Sequence, residues 1–212
     1  MVLLLIHFNL KINTTMKKIM FKLDSFFFFV PKTSYDLAFF RIGVGILSIA
    51  YFLQVGQDTL DVFGEFGVVR REIQELYILH PFIPRLTWLC EAFKMLPNYD
   101  EKTVLNLLVV VSIISSLFML IGLFTRWSAI LTWFLFLCFY KSSFLSSYGF
   151  ESFLCTSLFC CSIMPIGSYA SLDNILKKKI NLQQSVYYGF SLRVIQIHLC
   201  LVYFFGGFFK AM

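Results

Sequence analysis

Five long apolar blocks set the pattern of this chain, at roughly 37–56, 104–124, 126–140, 150–166 and 190–209. Charged and turn-forming residues cluster between them. A helix crosses a hydrocarbon layer in about 20 residues, so the pattern predicts five membrane-spanning helices, the third and fourth being the shortest. The run "FFFFV" at 26–30 precedes Pro31, is too short to span, and reads as an interfacial anchor. Between the first two spans, "PRLTWLCEAFKML" (84–96) opens with a proline at a permitted helix start. Leu86, Leu89, Phe93 and Leu96 then recur at helical spacing. This predicts an amphipathic helix in the first outer loop, lying at the interface or over the bundle. "DVFGEFGVVRRE" just before it reads as a charged turn punctuated by glycine.

Composition strengthens the membrane reading. The chain has 212 residues, of which 58% are hydrophobic and only 14% charged, and 27 are phenylalanine. A soluble domain carries about 25% charged residues. The net charge of +6 does not point to nucleic acid, because the basic residues sit beside the apolar blocks and form no basic face with interleaved aromatics. Their placement instead gives orientation. Lys17, Lys18, Lys22 and Lys32 precede the first span, Arg126 lies between the second and third, and Lys177–Lys179 lie between the fourth and fifth. If each span crosses once, these regions share the cytoplasmic side, which puts the N-terminus in and the C-terminus out. The long loop 57–103 carries eight acids besides its basic residues and weighs little in this rule.

The first fifteen residues fit the pattern poorly. "MKKIMFKLDSFFFFV" from Met16 resembles a bacterial start, so residues 1–15 are expected to be an over-extended one. With no internal repeat or low-complexity linker, two regions follow: a basic, interfacial segment at 1–36 and a transmembrane domain at 37–212.

Candidate chemistry is sparse. Cys138, Cys155, Cys160, Cys161 and Cys200 fall inside predicted spans and Cys90 in a loop, without a CxxC pair, and they read as small packing residues. No metal set is expected: His7, His80 and His198 are far apart in sequence. Arg41, near the start of the first span, is expected to snorkel to the interface, with pairing to Asp36 as the alternative. In the fifth span, Arg193 and Gln196 stand one turn apart on one face, while His198 points about 200° from Gln196. These three either hydrogen-bond between helices or line a polar cavity. Lys210 closes the same span next to Gly206-Gly207.

Several segments, taken in order, resemble the HTTM family, the membrane domain shared with vitamin K-dependent gamma-carboxylase. They are "LAFFRIGVGILSIAYFLQ" with Phe40-Arg41-Ile42, "DVFGEFGVVRRE", "LIGLFTRWSAILTWFLFLCFYKSS" with its Gly-hydrophobic-x-Thr-Arg turn, "MPIGSYASLD", and "IQIHLCLVYFFGGFFKAM". The resemblance covers about 37 to 212 and implies an all-α polytopic bundle in a bacterial cytoplasmic membrane. It also implies that Lys210 falls on the catalytic base of the carboxylases, which use a vitamin K quinone. The sequence departs from that pattern where carboxylases carry a histidine after the third span; here the region reads "YKSSFLSSYGFES". Relatives usually continue past this lysine, so a truncated chain, or one completed by another membrane protein, is expected. The expected function is accordingly a non-catalytic or accessory component of a membrane maturation or export process, in contact with lipid and with no bound cofactor. The alternative is a quinone-linked membrane enzyme, related to the carboxylases or to DoxX-type oxidoreductase subunits.

Overall fold

A computed structural model describes residues 32–64, 67, 83–94, 100–143, 149–176 and 184–211. Among the described residues the chain is all-α apart from one pair of two-residue strands. In chain order the elements are β1 (Lys32–Thr33), α1 (Tyr35–Gln57), α2 (Thr59–Phe63), α3 (Leu86–Lys94), α4 (Glu101–Ile121), α5 (Thr125–Ser142), α6 (Gly149–Ile163), α7 (Leu172–Leu176), β2 (Gln184–Ser185) and α8 (Val186–Ala211). Each of the five predicted spans is a helix. Three of them, α1, α4 and α8, are long and apolar enough to cross a membrane, at 23, 21 and 26 residues. At 1.5 Å per residue these reach about 31–39 Å. The expected anchor at 26–30, along with His7 and His80, lies outside the described residues.

Two compact units divide the chain, one of residues 38–180 and one of residues 1–37 with 181–212. In the larger unit α4, α5 and α6 follow one another as tight neighbours. α1 runs antiparallel to α4, because a Cβ on Gly45 would meet Leu120 while one on Gly56 would meet Val109. The direction therefore alternates through α1, α4, α5 and α6 according to which ends meet. One end gathers the start of α1 and the α4–α5 turn; the other gathers the end of α1 and the start of α6.

Two kinds of contact hold this unit together. The first is a chain of aromatic rings, with Phe136 against Tyr51 at 4.7 Å and Phe139 against both Phe52 (5.8 Å) and Phe63 (5.5 Å). Such edge and tilted arrangements suit ring quadrupoles. The second is a seam of small polar residues between α4 and α5, where Ser115 Oγ lies 2.6 Å from Thr132 Oγ1 and donates to the Ser128 carbonyl at 3.1 Å. Ser112 and Ser116 donate back to carbonyls of their own helix. Small side chains allow close helix approach, and their hydroxyls find partners inside the bundle, as lipid requires.

Local signals set the ends of α4. Asp100 caps its start, accepting from the backbone N–H of Thr103 at 3.2 Å and from its hydroxyl at 2.6 Å. Those hydrogen bonds, the hydroxyl's first, hold the Asp100 carboxyl below the usual carboxylate range. A lowered value means that the cap contributes at neutral pH and is lost as pH falls through it. Gly122 (φ 80°) ends the helix in the left-handed region, and both its N–H and that of Leu123 reach the Phe118 carbonyl.

The predicted outer-loop helix is present as α3. It lies over the bundle against α4 and α5, with Leu86, Thr87 and Cys90 buried. The Leu86 N–H donates to Ser142 Oγ at 3.0 Å and pins its start. All six cysteines are free. Cys90, Cys138 and Cys161 are buried packing residues, whereas Cys200 is exposed.

In the smaller unit β1 pairs antiparallel with β2, Lys32 opposite Ser185, and α8 packs on β1. Beyond Cys200, α8 exposes Leu201 to Phe209 on every side. A helix apolar all round belongs in a membrane interior.

The contrast between packed and exposed rings is testable. Phe136→Ala empties a fully buried site and should lower stability in detergent by roughly 2–3 kcal/mol, since the cavity remains even where protein and lipid are equally apolar. Phe204→Ala, on an exposed face, should change the melting temperature little. Equal losses in a thermal melt would contradict this packing.

Candidate functional site

The two ends of the larger unit are built differently. At one end Arg41 is completely buried, with 0% of its surface exposed. Its Nη2 donates to the Ala170 carbonyl at 2.6 Å and its Nη1 to the Ile166 carbonyl at 3.2 Å. The expectation that Arg41 snorkels is therefore overturned. The chain leaving α6 folds back over the start of α1 and offers carbonyls close at hand, so both terminal nitrogens of the guanidinium are met inside the protein, while its Nε is buried without a partner. Asp173 adds an attractive field.

Asp173 is the second centre of this knot. Its carboxylate accepts from the N–H groups of Phe124 (3.0 Å) and Thr125 (2.9 Å) and from the Thr125 hydroxyl (2.9 Å). It thus caps the N-terminus of α5 from 48 residues away. Its own N–H donates to the Gly122 carbonyl at 3.1 Å. Asn174 ties the same loop by donating to the carbonyls of Gly167 and Ser168. Two non-glycine residues here, Phe124 (φ 45°) and Ala170 (φ 48°), adopt left-handed backbone, at a cost of about 1–2 kcal/mol each. Both are held by the knot, one through its N–H to Asp173 and the other through its carbonyl from Arg41. Arg126 and Trp127, the latter 74% exposed, extend from the same turn, as a basic and aromatic interface belt would.

At the opposite end the helices splay around a cavity of about 220 Å³. One wall comes from the end of α1 and from α2, with Tyr51, Gln54, Asp58 and Phe63; the facing wall has Ser143, Phe150 and Glu151. The Tyr51 hydroxyl hydrogen-bonds to Ser143. Ser143 also donates to the Tyr140 carbonyl at 3.3 Å, and the Lys141 ammonium lies 5.0 Å from the centre of the Tyr140 ring. The cavity thus combines two carboxylates with aromatic surface and three neutral hydrogen-bonding groups. Sequence reading missed it: Asp58 follows α1 and Glu151 opens α6, and the two come together only where the end of α1 meets the start of α6.

The residues singled out from sequence lie in the smaller unit. Arg193 and Gln196 do share a face, and Arg193 Nη1 donates to Gln196 Oε1 at 2.8 Å. Gln196 is exposed, while Arg193 and His198 are half-buried. Lys210 is exposed in the last turn of α8, roughly 18 Å along the helix from His198. A Cβ on Gly206 or Gly207 would meet nothing within 4 Å. Among the described residues there is no group of three or more His, Cys, Asp or Glu side chains that could hold a metal ion. No family model matches the chain, and no curated protein or solved structure does so.

The knot around Arg41 makes a glycine prediction. A Cβ on Gly122 would lie 2.6 Å from Ser171 Cβ and 2.8 Å from Arg41 Nη1, on a backbone with φ 80°. Gly122→Ala should therefore destabilise the protein by at least about 1–2 kcal/mol. Gly43→Ala, at a helical site with nothing within 4 Å, should be neutral or stabilising by up to about 1 kcal/mol. Thermal melts of the two variants check the ordering, and a Gly122→Ala protein as stable as wild type would refute the knot.

Proposed function

We propose that this chain is a five-span, non-catalytic accessory component of a membrane maturation or export process, related to the HTTM family. Its site is bacterial cytoplasmic membrane, with the N-terminus inside, the C-terminus outside, and a second membrane protein chain as partner. The carrying observation is the setting of Lys210. A lysine acts as a base only when a desolvating pocket depresses its pKa, and Lys210 stands exposed on the final turn of a helix. There its long stem can lift the ammonium to the headgroups.

Five spans, rather than three, are supported by the alternating directions of α1, α4, α5 and α6. α5 and α6 have 18 and 15 residues, about 27 and 22 Å, and lie alongside longer neighbours. The chain after α6 continues through Met164 to Gly167 before reaching the knot. Kinship with HTTM draws support from where its motif segments fall. Phe40-Arg41-Ile42, Gly122 to Arg126, and Pro165 to Asp173 lie far apart in sequence and meet around Arg41 and Asp173.

Reporter fusions after residues 95, 126, 145, 178 and 212 should read out, in, out, in, out. Cytoplasmic activity at 212 would end the five-span reading. For the non-catalytic reading, purified protein given vitamin K hydroquinone and a glutamate peptide should show no carboxylation above a no-protein control. Lys210→Arg should insert and melt as wild type does. Carboxylation that disappears in Lys210→Ala would make Lys210 a base and overturn it.

A further inference from the structure

We propose that the outer-end cavity binds a small organic ammonium group, either of a free amine or of a lipid headgroup. The inference rests on the proposed orientation only for the side from which the ligand arrives; the chemistry stands on the cavity itself.

Charge comes first. Among the described residues the lining holds Asp58 and Glu151 and no basic residue, and Glu151 is already engaged by its surroundings. Among the described residues, cations on adjoining elements include Lys141, which lies over the Tyr140 ring, and Arg85, 5.7 Å from the Trp88 ring centre. Neither enters the lining. α1 and α5 both end at this cavity, with Gln57 and Ser142 as their last residues. Their C-termini add partial negative charge, opposed by the N-terminus of α6, beside Glu151, and by that of the short α2, at Asp58.

The walls select among cations. Tyr51, Phe63 and Phe150 give aromatic surface, which attracts a positive charge through the ring quadrupole and favours an alkylammonium over a strongly hydrated metal ion. Gln54, Ser143 and the Tyr51 hydroxyl supply neutral oxygens that can accept from ammonium N–H groups. Size sets the upper bound. At about 220 Å³ the cavity falls below the roughly 300 Å³ at which drug-sized pockets begin, so it suits a group the size of ethanolamine.

The test is calorimetric titration of the full chain in detergent with ethylammonium chloride, with sodium chloride at equal ionic strength as the reference. Saturable heat with ethylammonium alone is expected, weakened at least tenfold in Asp58→Asn and in Glu151→Gln, and unchanged in Asp36→Asn on the other end of α1. Equal heats for both salts, or affinity indifferent to both carboxylate variants, would overturn the proposal. Should either variant melt early, titrating wild type with ethanol replaces it, since a neutral molecule of the same size must lose the binding; equal heats for ethanol and ethylammonium sink the idea. Nanodiscs separate the sources. A higher melting temperature in phosphatidylethanolamine than in phosphatidylglycerol, lost in the Asp58→Asn/Glu151→Gln double variant, identifies a lipid headgroup, and binding of the free amine without that difference identifies a soluble ligand. A reporter at 145 on the cytoplasmic side would refute the orientation while leaving the titration readable.

Discussion

A guanidinium buried among apolar helices dictates much of this fold. Arg41 is always charged, and its charge either reaches water or is met by fixed dipoles. Here two carbonyls meet it, those of Ile166 and Ala170, and both belong to the chain that leaves α6. That chain must therefore cross the start of α1, which draws Asp173 to the α4–α5 turn, where it caps α5. Three covalently distant segments become one closed end, and two residues accept left-handed backbone to complete it.

The helices were legible in sequence, and the knot was not. Apolar block length identifies α1, α4, α5, α6 and α8 as helices, three of them long enough to cross a membrane, because an apolar run in apolar surroundings must satisfy its own backbone. Leu86, Leu89 and Phe93 likewise exposed α3 through their spacing. Arg41 resisted because its partners are carbonyls, which every residue possesses and no letter marks. The alternative of pairing with Asp36 looked only at nearby sequence, whereas the satisfying groups lie 125 and 129 positions away. Asp173 poses the same difficulty. In sequence it opens the short helix α7, yet its strongest work is to cap another helix.

The opposite end shows what happens without such a closure. The rings of Tyr51, Phe52, Phe136 and Phe139 pack α1 against α5 up to the last turn. Beyond them the helices end in polar residues, and the volume left between Asp58 and Glu151 is lined rather than filled. A closed, strained end and an open, polar one divide the labour, the first fixing the bundle and the second leaving room between its helices. The serine seam between α4 and α5 has a part in this division, because hydroxyls satisfied within the bundle keep the middle rigid without placing charge in it.

Two cations meet opposite fates in this fold. Arg41 and Lys210 both stand near helix ends, and a sequence reader would treat them alike. Arginine presents a planar fork that can be matched by fixed acceptors, and the fold supplies them until none of the side chain is exposed. Lysine is a compact, strongly hydrated charge on a flexible stem, and it is left on the last turn of a helix whose end is exposed all round. Their burial thus follows from side-chain chemistry as well as position. The Arg41 environment is built, with named partners and strained backbone holding it. Lys210 has no such set of fixed partners on its own helix, where its long stem is exposed in the last turn.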